Sequence, residues 1–563
     1  MHQALLGRPA LNRRRFVQGL STAAALAAIG ARAEAGRASV APGRMPELGG
    51  TEFDLVIDAL PVNYAGKRRM ATAVNGSVPG PLLRMREGDT VTLRVMNRLQ
   101  EMTSIHWHGL EVPADMDGVP GISFGGIAPG ETFTYRFTLR QTGTYWYHAH
   151  TLAEQTGLFG AMIVEPRVPE PASVDRDYVV MLSDWTDEPP LQVYLNLKKM
   201  SGYYNFGQPT VGDFFRDVGQ LGLSSAIAKR RMWNAARMNP TDYSDVSGTT
   251  YTYLMNGTAP AGNWTAIARA GERVRLRFIG AGTATIFDVR IPGLKLTVIS
   301  TDGQPVEPVE VDEFRIAPGE TYDVLVTMPE DRAYTIFAQS MDRTGYARGT
   351  LAPAAGMSAQ VPRPDRRVWL DPVDMMGAMA SMSGDMSDMA PPARHARTEY
   401  GPTTDMRVDY PRTNLDDPGA GLRDNGRRVL AYADLRRPGG APDPRVPARE
   451  IELHLTGNME RFIWSIDGVK LNDSRPIHFR KDERLRIIFV NDTMMAHPMH
   501  LHGMWSDLED PGGGFLVRKH TVLVQPAQRV SFAVNADAPG RWAFHCHLLY
   551  HMAAGMFREV VVA

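Results

Sequence analysis

Ten of the 15 histidines in this 563-residue chain fall into four tight groups. They are His106-Trp107-His108, His148-Ala149-His150, His497-Pro498-Met499-His500-Leu501-His502, and His545-Cys546-His547 followed by His551. On a β-strand, residues i and i+2 point to one face, so each His-x-His presents two imidazoles side by side. Four such pairs converging at one interface could surround several metal ions. The other five, His2, His395, His454, His478 and His520, read as hydrogen-bonded or surface side chains.

Cys546 is the only cysteine, which excludes an intrachain disulfide. It stands between two histidines, and strand alternation turns its thiol to the face opposite theirs. Cys546 should therefore bind a different metal from His545 and His547 while staying joined to them by a few covalent bonds. Such a link is a path for electrons between two centres. His551 and Met556 follow shortly after, and with His497 they complete a two-histidine, one-thiolate set with a weak thioether. That is the ligand set of blue copper. A zinc site would need neither eight paired imidazoles nor this second set.

Three repeated segments must position these side chains. Gly88-Asp89-Thr90-Val91-Thr92-Leu93-Arg94-Val95, Gly271-Glu272-Arg273-Val274-Arg275-Leu276-Arg277-Phe278 and Asp482-Glu483-Arg484-Leu485-Arg486-Ile487 alternate polar and apolar residues as half-buried strands do. Each is followed by a turn of the Ala128-Pro129-Gly130-Glu131 kind, and then by a closing strand. The closing strands are Tyr145–His150, Tyr334–Gln339 and Trp542–His547. The pattern predicts three related β-sandwich domains at about 45–168, 172–355 and 425–563. The second has lost its ligands: no histidine occurs between His150 and His395, and its closing strand ends in Phe337-Ala338-Gln339. Residues 190–245 interrupt it without strand alternation, and 213–236 read as helical. Residues 356–424, rich in Pro, Ala, Met, Gly and Ser, read as a long, poorly ordered connection.

Composition agrees with a folded all-β protein: 43% of residues are hydrophobic and 22% charged, with 53 glycines and 40 prolines for frequent turns. The formal net charge of -1 gives no argument for a nucleic-acid or anionic-membrane partner. Residues 1–40 read as a targeting segment. Arg13-Arg14-Arg15-Phe16 precedes a short apolar run and then Ala31-Arg32-Ala33, a small-x-small cleavage pattern. This looks like a twin-arginine export signal, so the expected location is the periplasm, reached through the twin-arginine machinery and without stable membrane insertion.

With His106-Trp107-His108-Gly109, Met116-Asp117-Gly118-Val119-Pro120, Tyr253-Leu254-Met255-Asn256-Gly257, His497–Gly503 and His545–His551 in view, the chain resembles the three-domain multicopper oxidases. Within them it looks like the periplasmic copper-resistance, CopA-type group. The resemblance covers nearly the whole chain and implies cupredoxin-like Greek-key domains and four copper ions. Type 1 copper would take His497, Cys546 and His551 with Met556 axial. Type 2 copper would take His106 and His500, and the type 3 pair His108, His148, His150, His502, His545 and His547. In the family, four one-electron oxidations are coupled to reduction of O2 to water. Asp117 matches an acid that helps to deliver protons. Where several relatives carry a relay glutamate near the His-Cys-His run, this chain has Leu548, Leu549, Tyr550 and Met552. Glu154 is the nearest other acid.

The methionines bear on the reductant. Met375, Met376, Met379, Met382, Met386 and Met389 lie in one run without other large apolar residues, and soft thioethers select Cu(I). The run predicts Cu(I) binding and a cuprous oxidase. A laccase-like oxidase of phenols, which would approach the edges of His497 and His551 directly, and a non-enzymatic copper-sequestering protein are the alternatives.

Overall fold

The computed structural model describes residues 45–168, 174–236, 238–378 and 392–563. The expected export signal lies outside them. Strands of the described residues form six sheets, two in each of three consecutive regions. The fold is thus all-β with cupredoxin-like domains, and helices are confined to insertions and short turns.

The repeat seen in the sequence recurs as a repeat of register. The opening strand of each domain runs parallel to the alternating strand: Phe53 pairs with Leu93, Val179 with Arg277, and Leu453 with Phe489. The alternating strand then pairs antiparallel with the strand after the Pro-Gly turn, as in Leu93 with Tyr135, Arg277 with Asp323, and Ile487 with Phe532. Inward positions such as Leu55, Leu93 and Tyr135, or Leu485, Ile487 and Phe532, are buried. Burying each such side chain is worth roughly 1.5–3 kcal/mol, which is what fixes the register.

The domains share their cores. One continuous apolar cluster runs from Val180 and Phe278 in the second domain to Phe489 and Phe544 in the third. Trp505 of the third domain enters the core of the first, and its indole donates to Glu111 at 2.6 Å. Val119, Ala543 and Phe557 make a smaller apolar contact between the first and third domains.

The insertion is helical, as expected, but in three pieces: Pro190–Lys199, Val211–Leu221 and Leu223–Ala236. Thr210 caps the second helix and exchanges hydrogen bonds with Asp213. Gly222, at φ +82°, breaks it from the third. The connection before the third domain departs from expectation. Its described residues are packed, with Met406, Val408, Leu415 and Leu422 buried. Arg412 bridges to Gln528, and Val429 to Glu313. Apolar residues dispersed singly among Pro and Gly carry no periodicity, so their burial could not be read from the sequence.

Candidate metal centres

The paired histidines lie on neighbouring strands in matching register. His106 faces His148 in the first domain, and His500 faces His545 in the third. In the second domain the closing strand puts Phe337 where His148 and His545 stand, facing Arg290, and two positions further along Asp288 faces Gln339. There the buried Asp288 carboxylate is paired with Arg315 and Arg343 at 2.7 and 2.6 Å. The second domain thus fills this part of its interior with ion pairs.

Eight imidazoles of the first and third domains meet at their interface. They gather as His108, His148 and His547; as His150, His502 and His545; and as His106 and His500 beside His108. All are buried. Five of the eight have an outer nitrogen already engaged: Nδ1 of His106 donates to the Asp117 carbonyl, Nδ1 of His500 to the His520 carbonyl, and Nδ1 of His545 to the Cys546 carbonyl. His502 Nδ1 donates to Asp117 Oδ2, and His148 Nδ1 faces Glu154 Oε2 at 3.0 Å. The inner nitrogens are then bare lone pairs. Yet His502 Nε2 and His545 Nε2 stand 3.0 Å apart, and His150 Nε2 and His545 Nε2 3.1 Å apart. Nε2 of His106, His148 and His500 has no hydrogen-bond partner. Lone pairs aimed at one another in a buried space repel unless cations lie between them, so this donor set fits metal ions and little else.

Electrostatics agree. Burial, reinforced by the neighbouring imidazoles, holds His108, His148, His150, His500, His502 and His547 well below the usual histidine range. Burial also brings His545 down to about 4. Neutral imidazole is the ligand form.

The geometry of the Asp117 loop has a visible cause. Gly118 has φ +83°, and a Cβ there would sit 1.8 Å from the Ile105 carbonyl oxygen. Only glycine lets this turn lie against the strand carrying His106. Asp117 is 1% exposed, and its Oδ1 lies 3.3 Å from His106 Nδ1 while Oδ2 accepts from His502.

A second centre lies behind the same strand. Cys546 Sγ is 3.6 Å from His497 Nδ1 and 3.8 Å from His551 Nδ1, and the two nitrogens are 3.1 Å apart. The strand Gly540–Cys546 thus sends His545 to one cluster and Cys546 to another, as alternation requires. The short helix Leu549–Ala554 ends at Gly555 (φ +127°), and the chain returns so that the Met556 carbonyl accepts the Cys546 N–H at 3.1 Å. Met556 is fully buried. Burial pushes the Cys546 thiol far up, so a thiolate here needs a bound cation.

Three residues at these sites carried no motif signal. His497 Nε2 is 2.7 Å from Thr493 Oγ1, and His551 Nε2 is 3.1 Å from Asp245 Oδ2 of the second domain. Trp464 stacks on His551 with ring centres 3.9 Å apart. Together with the helical insertion, whose Lys198 donates to the Arg461 and Phe462 carbonyls, these groups cover the site. His497 and His551 are both 0% exposed, so direct approach of a phenol to their edges is not possible in this structure.

His520 also departs from a bystander reading. It is buried, and its Nδ1 lies 3.2 Å from His108 Nε2. Asp302 of the second domain accepts from the backbone N–H groups of His520 and Thr521 at 3.1 Å, and pairs with the buried Lys519 at 3.1 Å. The second domain, which has no histidine, therefore holds the strand segment whose carbonyl orients His500.

Of the methionine run, Met379, Met382, Met386 and Met389 lie outside the described residues. Met375 and Met376 are in a short helix, Val373–Met376. Met376 is exposed, while Met375 packs with Met238 and Met406, which corrects the expectation that the run has nothing to pack against. Met494, Met495, Met499 and Met504 are core residues.

Fold and centres together define a copper oxidase, and the chain belongs to the multicopper oxidase family. Three family profiles described as Multicopper oxidase match residues 57–169, 176–356 and 444–563. Within the family it is a three-domain, CopA-type enzyme. It is 52% identical to Copper resistance protein A of Escherichia coli over 98% of this chain and 99% of that protein. It is 53% identical to a Copper resistance protein A homolog of Pseudomonas syringae pv. tomato, again over 98% and 99%. Among solved structures, Fet3p, described as a multicopper oxidase that functions in iron import, superposes with a TM-score of 0.65 at 20% identity, covering 92% of this chain and 90% of that one.

Proposed function

We propose that this oxidoreductase is a periplasmic cuprous oxidase of copper resistance, coupling four one-electron oxidations of Cu(I) to Cu(II) with reduction of O2 to two waters. His497, Cys546, His551 and Met556 would hold type 1 copper. His106 and His500 would hold type 2 copper, and His108, His148, His547, His150, His502 and His545 the type 3 pair. Copper at these positions supplies reversible one-electron chemistry and the reduction of dioxygen. The remaining work falls to the protein. The covalent path from Cys546 to His545 and His547 joins the two centres, and Asp117, touching His106 and His502, holds or releases a proton beside the larger one.

The observation that carries the choice of reductant is the cover over His551. Its outer nitrogen meets the Asp245 carboxylate in a buried setting, which suits a small cation arriving at the surface of that cover and excludes an aromatic ring from the imidazole edge. The names of three relatives above 50% identity support the same reading. Export through the twin-arginine machinery rests on Arg13 and Arg14.

Steady-state oxygen consumption by the copper-loaded protein, with Cu(I) and a phenol at matched concentrations, tests the proposal. Cu(I) is expected to be the faster reductant. Faster turnover of the phenol would make the enzyme laccase-like, and no oxygen uptake with either would leave copper sequestration.

A further inference from the structure

A third convergence of ligand-type atoms lies away from both centres. His395 and Glu399 sit within the connection, just before and within a short turn, Arg397–Tyr400. His454 lies on the strand Arg449–Asn458, and Asp492 follows the strand Arg484–Asn491. One atom from each of the four residues falls within 4.8 Å of all the others. His395 Nδ1 is 2.8 Å from Glu399 Oε2 and 3.7 Å from Asp492 Oδ2. His454 Nδ1 is 3.3 Å from the same Glu399 oxygen and 2.6 Å from the same Asp492 oxygen.

The outward atoms of these groups are already occupied. Glu399 Oε1 accepts from the Ala396 N–H at 2.9 Å, and Asp492 Oδ1 from the Val408 N–H at 2.7 Å. Each carboxylate is thereby left with one oxygen aimed at the centre. Each imidazole in turn has a carboxylate near its far nitrogen: Asp409 Oδ1 is 3.4 Å from His395 Nε2, and Glu452 Oε1 is 3.5 Å from His454 Nε2. Carboxylates outside a pair of histidines, with two inner nitrogens and two inner oxygens, are the usual surroundings of a bound transition-metal cation. The four nitrogen–oxygen spacings also bracket the ~3.3 Å edge of a tetrahedron with ligand bonds near ~2 Å. Charge points the same way, because four carboxylates surround two imidazoles, and Arg529 reaches only the outer Glu452, at 3.2 Å.

We propose that His395, Glu399, His454 and Asp492 form a binding site for one further divalent cation of the zinc or copper(II) class. Two imidazoles and two carboxylates suit Zn(II) and Cu(II), whereas Cu(I) would look for thioethers or thiolate. The cation joins residues 395–399, which follow the methionine run, to two strands of the third domain. Its role is to fasten the connection, just past the methionine run, beside the domain that carries Cys546. Neither the copper ligand assignments nor the oxidase activity is needed for this site to exist.

The test compares copper-loaded wild-type protein with the double variant His395→Ala/Glu399→Gln. Each is incubated separately with Zn(II) or Cu(II), desalted, and analysed for metal and protein. The wild type should retain one equivalent more per chain than the variant, whatever the absolute copper content, and the arm in which the difference appears identifies the metal. Retention of the visible copper band shows that the variant has folded. As a measurement that needs no variant, wild-type crystals exposed to Zn(II) or Cu(II) should give an anomalous peak between the four side chains at the corresponding absorption edge. Equal metal content in both proteins, or no peak at either edge, would overturn the site and leave a hydrogen-bonded ion-pair cluster.

Discussion

Asp117 Oδ2, in the first domain, accepts from His502 Nδ1, in the third, at 2.9 Å. Its other oxygen lies 3.3 Å from His106 Nδ1, so one buried carboxylate touches imidazoles contributed by both domains. Asp117→Asn keeps size and part of the hydrogen bonding but cannot exchange a proton. Reoxidation by O2 should slow by ~100-fold or more, the usual scale of a lost acid–base group, with reduction of the blue centre little changed. Stopped-flow traces in which reoxidation matches the wild type across pH would confine Asp117 to a structural part.

Cys546 is the only anionic donor among the four residues proposed to hold type 1 copper. Cys546→Ser should abolish the intense visible band while copper bound to the paired histidines is retained, because a hydroxyl is a poor partner for this site. Absorbance and copper content of the variant check both halves of the expectation.

Asp245 reaches His551 from another domain, 3.1 Å from Nε2. A carboxylate behind a ligating imidazole raises its basicity and favours the more highly charged metal ion. Asp245→Asn should raise the reduction potential of the blue centre and lower kcat/KM for Cu(I) by about 10-fold. An unchanged potential in a redox titration of the visible band would remove Asp245 from the electron-entry site.

The methionine run can be tested without disturbing the fold, provided that Asp374 is kept. Asp374 is fully buried and pairs with Arg423 at 2.6 Å, so deleting 374–390 would remove a packed, ion-paired residue along with the methionines. Asp374→Asn alone should destabilise the protein by ~1–3 kcal/mol, seen as a lowered unfolding midpoint, since Arg423 keeps Asp417. Replacing Met379, Met382, Met386 and Met389 by serine should instead raise KM for Cu(I) and leave stability and phenol turnover unchanged, since a chain segment that gathers a cargo raises its local concentration. Loss of both activities together would indicate failed copper loading.

Copper removal should lower the melting temperature more than it would for a site within one domain, because the eight imidazoles come from two. A ligand present at 1,000 times its dissociation constant adds about 4 kcal/mol to the native state. Calorimetry of copper-free and reloaded protein measures the shift. Identical melting would mean that the interface stands without its metals.

What the sequence determined by itself was local. Strand alternation set His545 and His547 against Cys546, repeated patterning marked three β domains, and missing histidines marked the second as ligand-free. These follow from the two-residue period of a strand, which any reader of the chain can apply. The tertiary structure decided everything that depends on residues distant in the chain. Asp245 arrives at His551 from a different domain, and Asp302 braces the His520 segment from a domain with no histidine. His395 and His454 meet two carboxylates although neither histidine has a motif neighbour. Burial of His497 and His551 beneath the insertion likewise has no signature, because helices that cover a site are patterned by the surface they cover. Spacing along one strand fixes which way a side chain points, whereas packing between domains fixes what it meets.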